Sequence, residues 1–108
     1  MEYNLYKSHR ENKKYLILTP GNRMIHFGAE GYSDYTNHKD DDRKQRYIDR
    51  HSKILKKDGS RAIDDINSPS FWSLNLLWNK KTLKQSIRDT QKNFSIKIND
   101  NSKIRLKK

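Results

Sequence analysis

The stretch "KKYLILTPGNRMIHFG", Lys13 to Gly28, constrains the fold more than any other part of the chain. "KKYLILT" is an apolar run of strand length, and "PGNR" is a turn in which Pro20 presets φ and Gly21 or Asn22 takes a positive φ. "MIHFG" then returns antiparallel. Alternation predicts that Leu16, Leu18, Ile25 and Phe27 share one face of the hairpin and that His26 points to the other. A two-stranded ribbon is marginal in water, so the rest of the chain has to cover it.

The covering material is legible downstream. "SP" at Ser68 and Pro69 offers an N-cap followed by proline at the first helical position. It introduces "SFWSLNLLWNK", a short helix that is apolar on nearly all sides and therefore expected to be buried. A second cap near Asn79 or Thr82 opens "KKTLKQSIRDTQKNF", where Leu83, Ile87, Thr90 and Phe94 line one side. The final "SIKINDNSKIRLKK" alternates Ile96 and Ile98 before "NDNS" and Ile104 and Leu106 after it. That pattern suggests a second hairpin, with a basic tail over residues 99–108 as its rival. Hydrophobic residues are 31% of the 108 and charged ones 34%, so the core must be thin and one domain spanning 1–108 is expected. The predicted architecture is α+β: an N-terminal hairpin packed with about three helices and a possible C-terminal hairpin. Its core is expected to be Phe27, Tyr47, Ile48, Phe71, Trp72, Leu76, Leu77, Leu83, Ile87 and Phe94.

Between hairpin and buried helix lies "GYSDYTNHKDDDRKQRYIDRH", dense in tyrosine, histidine and charge. Asn37 is the expected N-cap, with Asp40, Asp41 and Asp42 near the positive end of the helix dipole. Tyr47, Ile48, His51, Ile54 and Leu55 recur at helical spacing and predict a stripe facing the core. Tyr32 and Tyr35 are expected to pack on this helix with satisfied hydroxyls, and His51 to be partly buried and hydrogen-bonded. Catalytic chemistry is hard to assemble here. His38-Lys39-Asp40 are contiguous and so point in different directions, and 13 helical residues would hold His38 and His51 about 20 Å apart. No catalytic set, metal site or cofactor is therefore assigned, and a metal-dependent nuclease built on Asp34, His38 and Asp40 is the weakest of the readings considered.

Charge is the strongest functional signal. The net charge of +11 divides into +1 over residues 1–36, +2 over 37–69 and +8 over 70–108. In the last third, Lys81, Lys84, Arg88 and Lys92 gather roughly 130° from the apolar stripe of their helix, at about 100° per residue. Together with Lys80, and with Lys103, Arg105, Lys107 and Lys108 in the tail, they form a candidate surface for nucleic-acid phosphates. No aromatic side chain interleaves the Lys81 to Lys92 stripe, so backbone contact without sequence readout is expected. The alternative is a structural or interaction protein that docks an acidic partner protein, with Trp72 and Trp78 as core residues or interface anchors.

The blocks "HFGAEGYSDYTNHKDDDRKQRYIDRH" and "FWSLNLLWNKKTLKQSIRDTQKNF" resemble a family of short basic proteins of unknown function from large DNA viruses of algae and protists. The similarity runs from about Lys13 to Ile98, with "DDINSPSFWSLN" replacing the family's "KSGIKTAGFWSRW" and Lys81 standing at a frequent proline position. It implies a viral origin and no particular activity. With that origin, the structural alternative becomes a minor virion component docking an acidic viral protein. The resemblance, with a polar, acid-bearing start and no cysteine or long apolar run, implies a location in the host cytoplasm or nucleus, or in the virion.

Overall fold

The expected hairpin forms from β2 (Lys13–Leu18) and β3 (Met24–Ala29), but its register differs from the sequence expectation by one residue on β2. Leu16 lies opposite His26 and Ile17 opposite Ile25, so Tyr15 and Ile17, rather than Leu16 and Leu18, share the core face with Ile25 and Phe27. The cause is Thr19, which is drawn into the turn. Its carbonyl accepts from the Asn22 amide at 2.9 Å, its hydroxyl accepts from the Arg23 amide at 3.0 Å, and Asn22 takes φ 64°. Leu16 and Ile17 are nevertheless both fully buried, because both faces of this strand are covered.

The hairpin is half of a larger sheet. The computed structural model describes residues 1–106, in which β1 (Glu2–Lys7) and β4 (Lys97–Arg105) complete a mixed four-stranded sheet in the order β3-β2-β1-β4. β1 pairs antiparallel with β2 and parallel with β4. The polar segment "EYNLYK" was not anticipated as a strand, yet it is central: Tyr3 and Leu5 alternate into the core. The C-terminal segment is one strand and not a hairpin. Asn99, Asp100 and Asn101 lie opposite Asn4, Leu5 and Tyr6, and Asn99 donates its side-chain amide to Asn4 Oδ1 at 3.0 Å. A register shift between Tyr6 and Lys7 absorbs the residues before Arg105. "NDNS" thus finds ladder partners on β1 instead of turning back.

Helices cover the core face. Asp34 caps a one-turn helix, α1 (Tyr35–His38), in a reciprocal capping box in which Asn37 is the third residue and not the cap. Lys39 then takes a left-handed conformation and Asp40 caps α2 (Asp41–His51), accepting from the Asp42 and Arg43 amides. Asp41 and Asp42 occupy the first turn as expected. α2 stops at His51, so the stripe is shorter than the spacing suggested and Ile54 and Leu55 are exposed. Ser68 caps α3 (Pro69–Trp72), which continues as a π-helical turn over Ser73–Leu77, closed by the Trp78 amide on the Ser73 carbonyl. Thr82 caps α4 (Leu83–Phe94).

The core consists of Tyr3, Leu5, Ile17, Ile25, Phe27 and Ile98 from the sheet, with Phe71, Trp72, Leu76, Leu77 and Ile87 above them. Trp72 is at its centre, against Tyr3 and Phe71, with its indole N–H donating to the Ile66 carbonyl at 2.8 Å. Ser86 and Thr90 are fully buried on α4, and the Thr90 hydroxyl is satisfied by the Ser86 and Asn75 carbonyls. Phe94, at the end of the helix, is 44% exposed and meets Phe71 at 4.8 Å. Ile48 and Leu83 are half-buried at the margin.

Candidate nucleic-acid interface

The cationic face of α4 exists as a surface. Lys84, Arg88 and Lys92 project from the helix at every fourth residue, Lys80 and Lys81 lead into it, and all five are exposed. The face is oriented by what the opposite side buries. Ser86, Ile87 and Thr90 sit against the π turn, and the Ser86 hydroxyl accepts from the Lys80 amide at 3.0 Å, which fixes the approach to the helix. Among the described residues none of the five cations forms an ion pair. Asp89, the acid of this helix, accepts instead from the side-chain amides of Asn79 and Asn93.

Lys103 and Arg105 are exposed on β4, an edge of the sheet. Lys107 and Lys108 lie outside the described residues. Trp72 is unavailable as an interface anchor: it is 0% exposed, so a partner has nothing to touch. Trp78 is half-buried and already engaged. It stacks on Tyr47 at 4.2 Å with planes 4° apart and meets His38 at 5.2 Å. Tyr47 stacks in turn on His51 at 4.0 Å, and Tyr35 lies at the other end of the row beside His38.

This aromatic row is where α2 is fastened to the rest of the molecule. Lys44 reinforces it, donating to the Asn79 carbonyl at 2.5 Å and lying over the Tyr35 ring. Tyr35 is buried with its hydroxyl on Asp41, and that hydrogen bond to a carboxylate, followed by burial, raises its pKa. Burial likewise raises the Tyr47 phenol, with Ser73 opposing the shift. Tyr32, by contrast, is 74% exposed and does not pack on the helix. His51 differs from the expectation of a hydrogen-bonded ring. Among the described residues, His51 Nδ1 and His38 Nε2 are buried without a hydrogen-bond partner, while His38 Nδ1 accepts from the Asp40 amide at 3.0 Å. Burial first, then the neighbouring Arg43 or Arg50, lowers their pKa values, with Asp40 and Asp34 partly restoring that of His38.

The acids weighed for metal chemistry have other partners. Asp34 pairs with Lys14 at 2.6 Å and caps α1, while Asp40 caps α2. Among the described residues no group of three or more His, Cys, Asp or Glu stands together in a way that would hold an ion. One Ser–His pair went unnoticed in the sequence. Ser8 Oγ shares a hydrogen bond with His26 Nδ1 at 2.7 Å and accepts from the Arg10 amide, with His9 edge-on to the imidazole. Both members are buried, so the pair fastens the loop after β1 to the back of the sheet. Burial, then Arg10, lowers the His26 pKa.

The fold and this surface define a small basic α+β domain with a mixed sheet and one cationic helix face. Residues 3–51, which are 49 of the 108, match the model of a family of unknown function (DUF5754), so the likeness covers β1 through α2. No curated protein and no solved structure matches the chain. Among the described residues no helix is long and apolar enough to cross a membrane.

Proposed function

We propose that the protein is a small non-enzymatic accessory protein of a large DNA virus that binds nucleic acid through the phosphate backbone, in the host cytoplasm or nucleus. The observation that carries this reading is the set of five exposed cations, Lys80, Lys81, Lys84, Arg88 and Lys92, none of them in an ion pair among the described residues. Successive cations on α4 are about 6 Å apart along the axis, so the helix presents a line of charge to an extended polyanion. Lysine acts as a point charge and no base-reading constellation accompanies it, so contacts position the protein without reading sequence. Lys103 and Arg105 add attraction at longer range.

The test is filter binding of duplex DNA and of RNA across a salt series. Affinity is expected to be indifferent to sequence and to fall with a log–log slope of roughly −0.9 per neutralised phosphate on duplex DNA. The double variant Lys84→Glu/Arg88→Glu is expected to weaken binding to every sequence and flatten the slope, with thermal stability nearly unchanged because both side chains are exposed. Unchanged affinity and slope would remove α4 from the interface. A wild-type chain that binds no nucleic acid at low salt but captures an acidic viral protein would establish the structural alternative.

A further inference from the structure

A second concentration of positive charge lies away from α4, and it is concave. A cavity of about 390 Å³ opens between the sheet, the loop after β3, α2 and the start of α3. Lys13 and Lys14 of β2 enter it from one side, Arg43 and Arg50 of α2 from the other. Residues seven apart on a helix differ by only about 20° in direction, which is why both arginines, with Tyr47 between them, reach the same hollow. Asp34 is the one carboxylate on this wall, and Lys14 holds it at 2.6 Å. Lys13, Arg43 and Arg50 form no ion pair among the described residues.

Like charges gathered around a hollow repel one another and focus a positive potential into it, an arrangement that an anion relieves. His51 lines the same hollow, stacked on Tyr47 at 4.0 Å. The hollow is also more than an anion needs. Its volume falls within the about 300–1,000 Å³ of small-molecule sites. Half-buried Trp78 gives it an apolar side for an organic body, with buried Phe27 and Leu77 behind.

We propose that this cavity binds a phosphorylated small molecule of about the size of a mononucleotide, with the phosphate held between Arg43, Arg50 and Lys13 and the organic part against Trp78. The site is distinct from the α4 face, so either stands if the other fails. The experiment is a titration of the full chain with AMP, UMP, ribose 5-phosphate, adenosine and inorganic phosphate, followed by tryptophan fluorescence and amide NMR shifts. Saturable shifts at Arg43, Arg50 and His51 are expected with a nucleotide, and adenosine should bind at least about tenfold more weakly. Arg43→Gln/Arg50→Gln should weaken the nucleotide by about tenfold or more with the circular dichroism spectrum retained, since both side chains are exposed. Lys13→Gln serves the same purpose if the double variant misfolds, and Lys84→Glu/Arg88→Glu should leave the titration unchanged. No saturation in the millimolar range by any of the phosphorylated probes, equal affinity for adenosine, or undiminished binding in the arginine variant would overturn the proposal. Inorganic phosphate binding as tightly as every organic phosphate would overturn the organic part of it.

Discussion

Helix α2 sets Arg43 and Arg50 over a hollow that Lys13 and Lys14 close from the opposite side, whereas α4 sets Lys84, Arg88 and Lys92 outward on an exposed face. The two helices are similar in length and each carries a line of cations, yet curvature separates what they suit. Convergent cations can reach several oxygens of one compact anion, while divergent ones can be matched only by a partner that is itself extended. Anchoring differs too. α4 buries Ser86, Ile87 and Thr90, but α2 buries only Tyr47 and depends on one aromatic row and on Lys44.

The largest perturbation strikes what both helices share. Trp72→Ala removes the centre of the core and is expected to cost about 3–5 kcal/mol, enough to leave so small a domain largely unfolded in urea or thermal melts. A variant that melts like the wild type would break the comparison, because the common floor would then be dispensable. Tyr47→Ala should separate the helices. A loss of about 3 kcal/mol is expected, with hydrogen exchange rising sharply in α2 and little in α4. Equal loosening of both would show that α2 is held by more than its aromatic row.

Acidification is the gentlest of the three and carries a definite sign. His38 and His51 flank α2, and their pKa values lie below the ordinary 6.5. The unfolded chain therefore takes up protons first as pH falls through 6.5, so this part of the stability is complete above that value and is lost toward the lower folded values. Arg43 and Arg50 deepen the effect and Asp40 and Asp34 oppose it at His38, while His26 adds a share at the back of the sheet. Asp40, Asp58 and Asp65, whose pKa values are lowered, matter only in more acid solution. A melting temperature that declines between about pH 7 and pH 5, with α2 amides exchanging before those of α4, is the expected result. His38→Gln/His51→Gln should flatten it. Earlier loosening of α4, which carries no histidine, would contradict the assignment.

Local chemistry made part of this legible in sequence. The Ser68-Pro69 start, the Thr82 cap and the cationic side of α4 follow from side chains bonding their own neighbours, and all three are present. What escaped was set by partners far along the chain. "EYNLYK" reads as polar because its apolar residues are only Tyr3, Leu5 and Tyr6, and nothing nearby reveals that β2 and β4 flank it. The hairpin register turned on a single hydroxyl, that of Thr19. The spacing of Arg43 and Arg50 was visible, but not that Lys13 and Lys14 would face them, so a hollow assembled from distant segments gave no local signal.

The pairing of β1 with β4 also bears on how the molecule comes into being. Tyr3 and Ile98 are neighbours in the ladder although almost the whole chain separates them. On a ribosome, β1 can meet β2 soon after synthesis but must wait for nearly everything else before its other edge is filled. Contacts of such long separation fold late, because the intervening loop has to be closed before they are rewarded. Until then one edge of a central strand stays unpaired and open to other chains. Losing β4 would prolong that interval indefinitely, so truncation before Lys97 should yield an aggregating product rather than a smaller folded one.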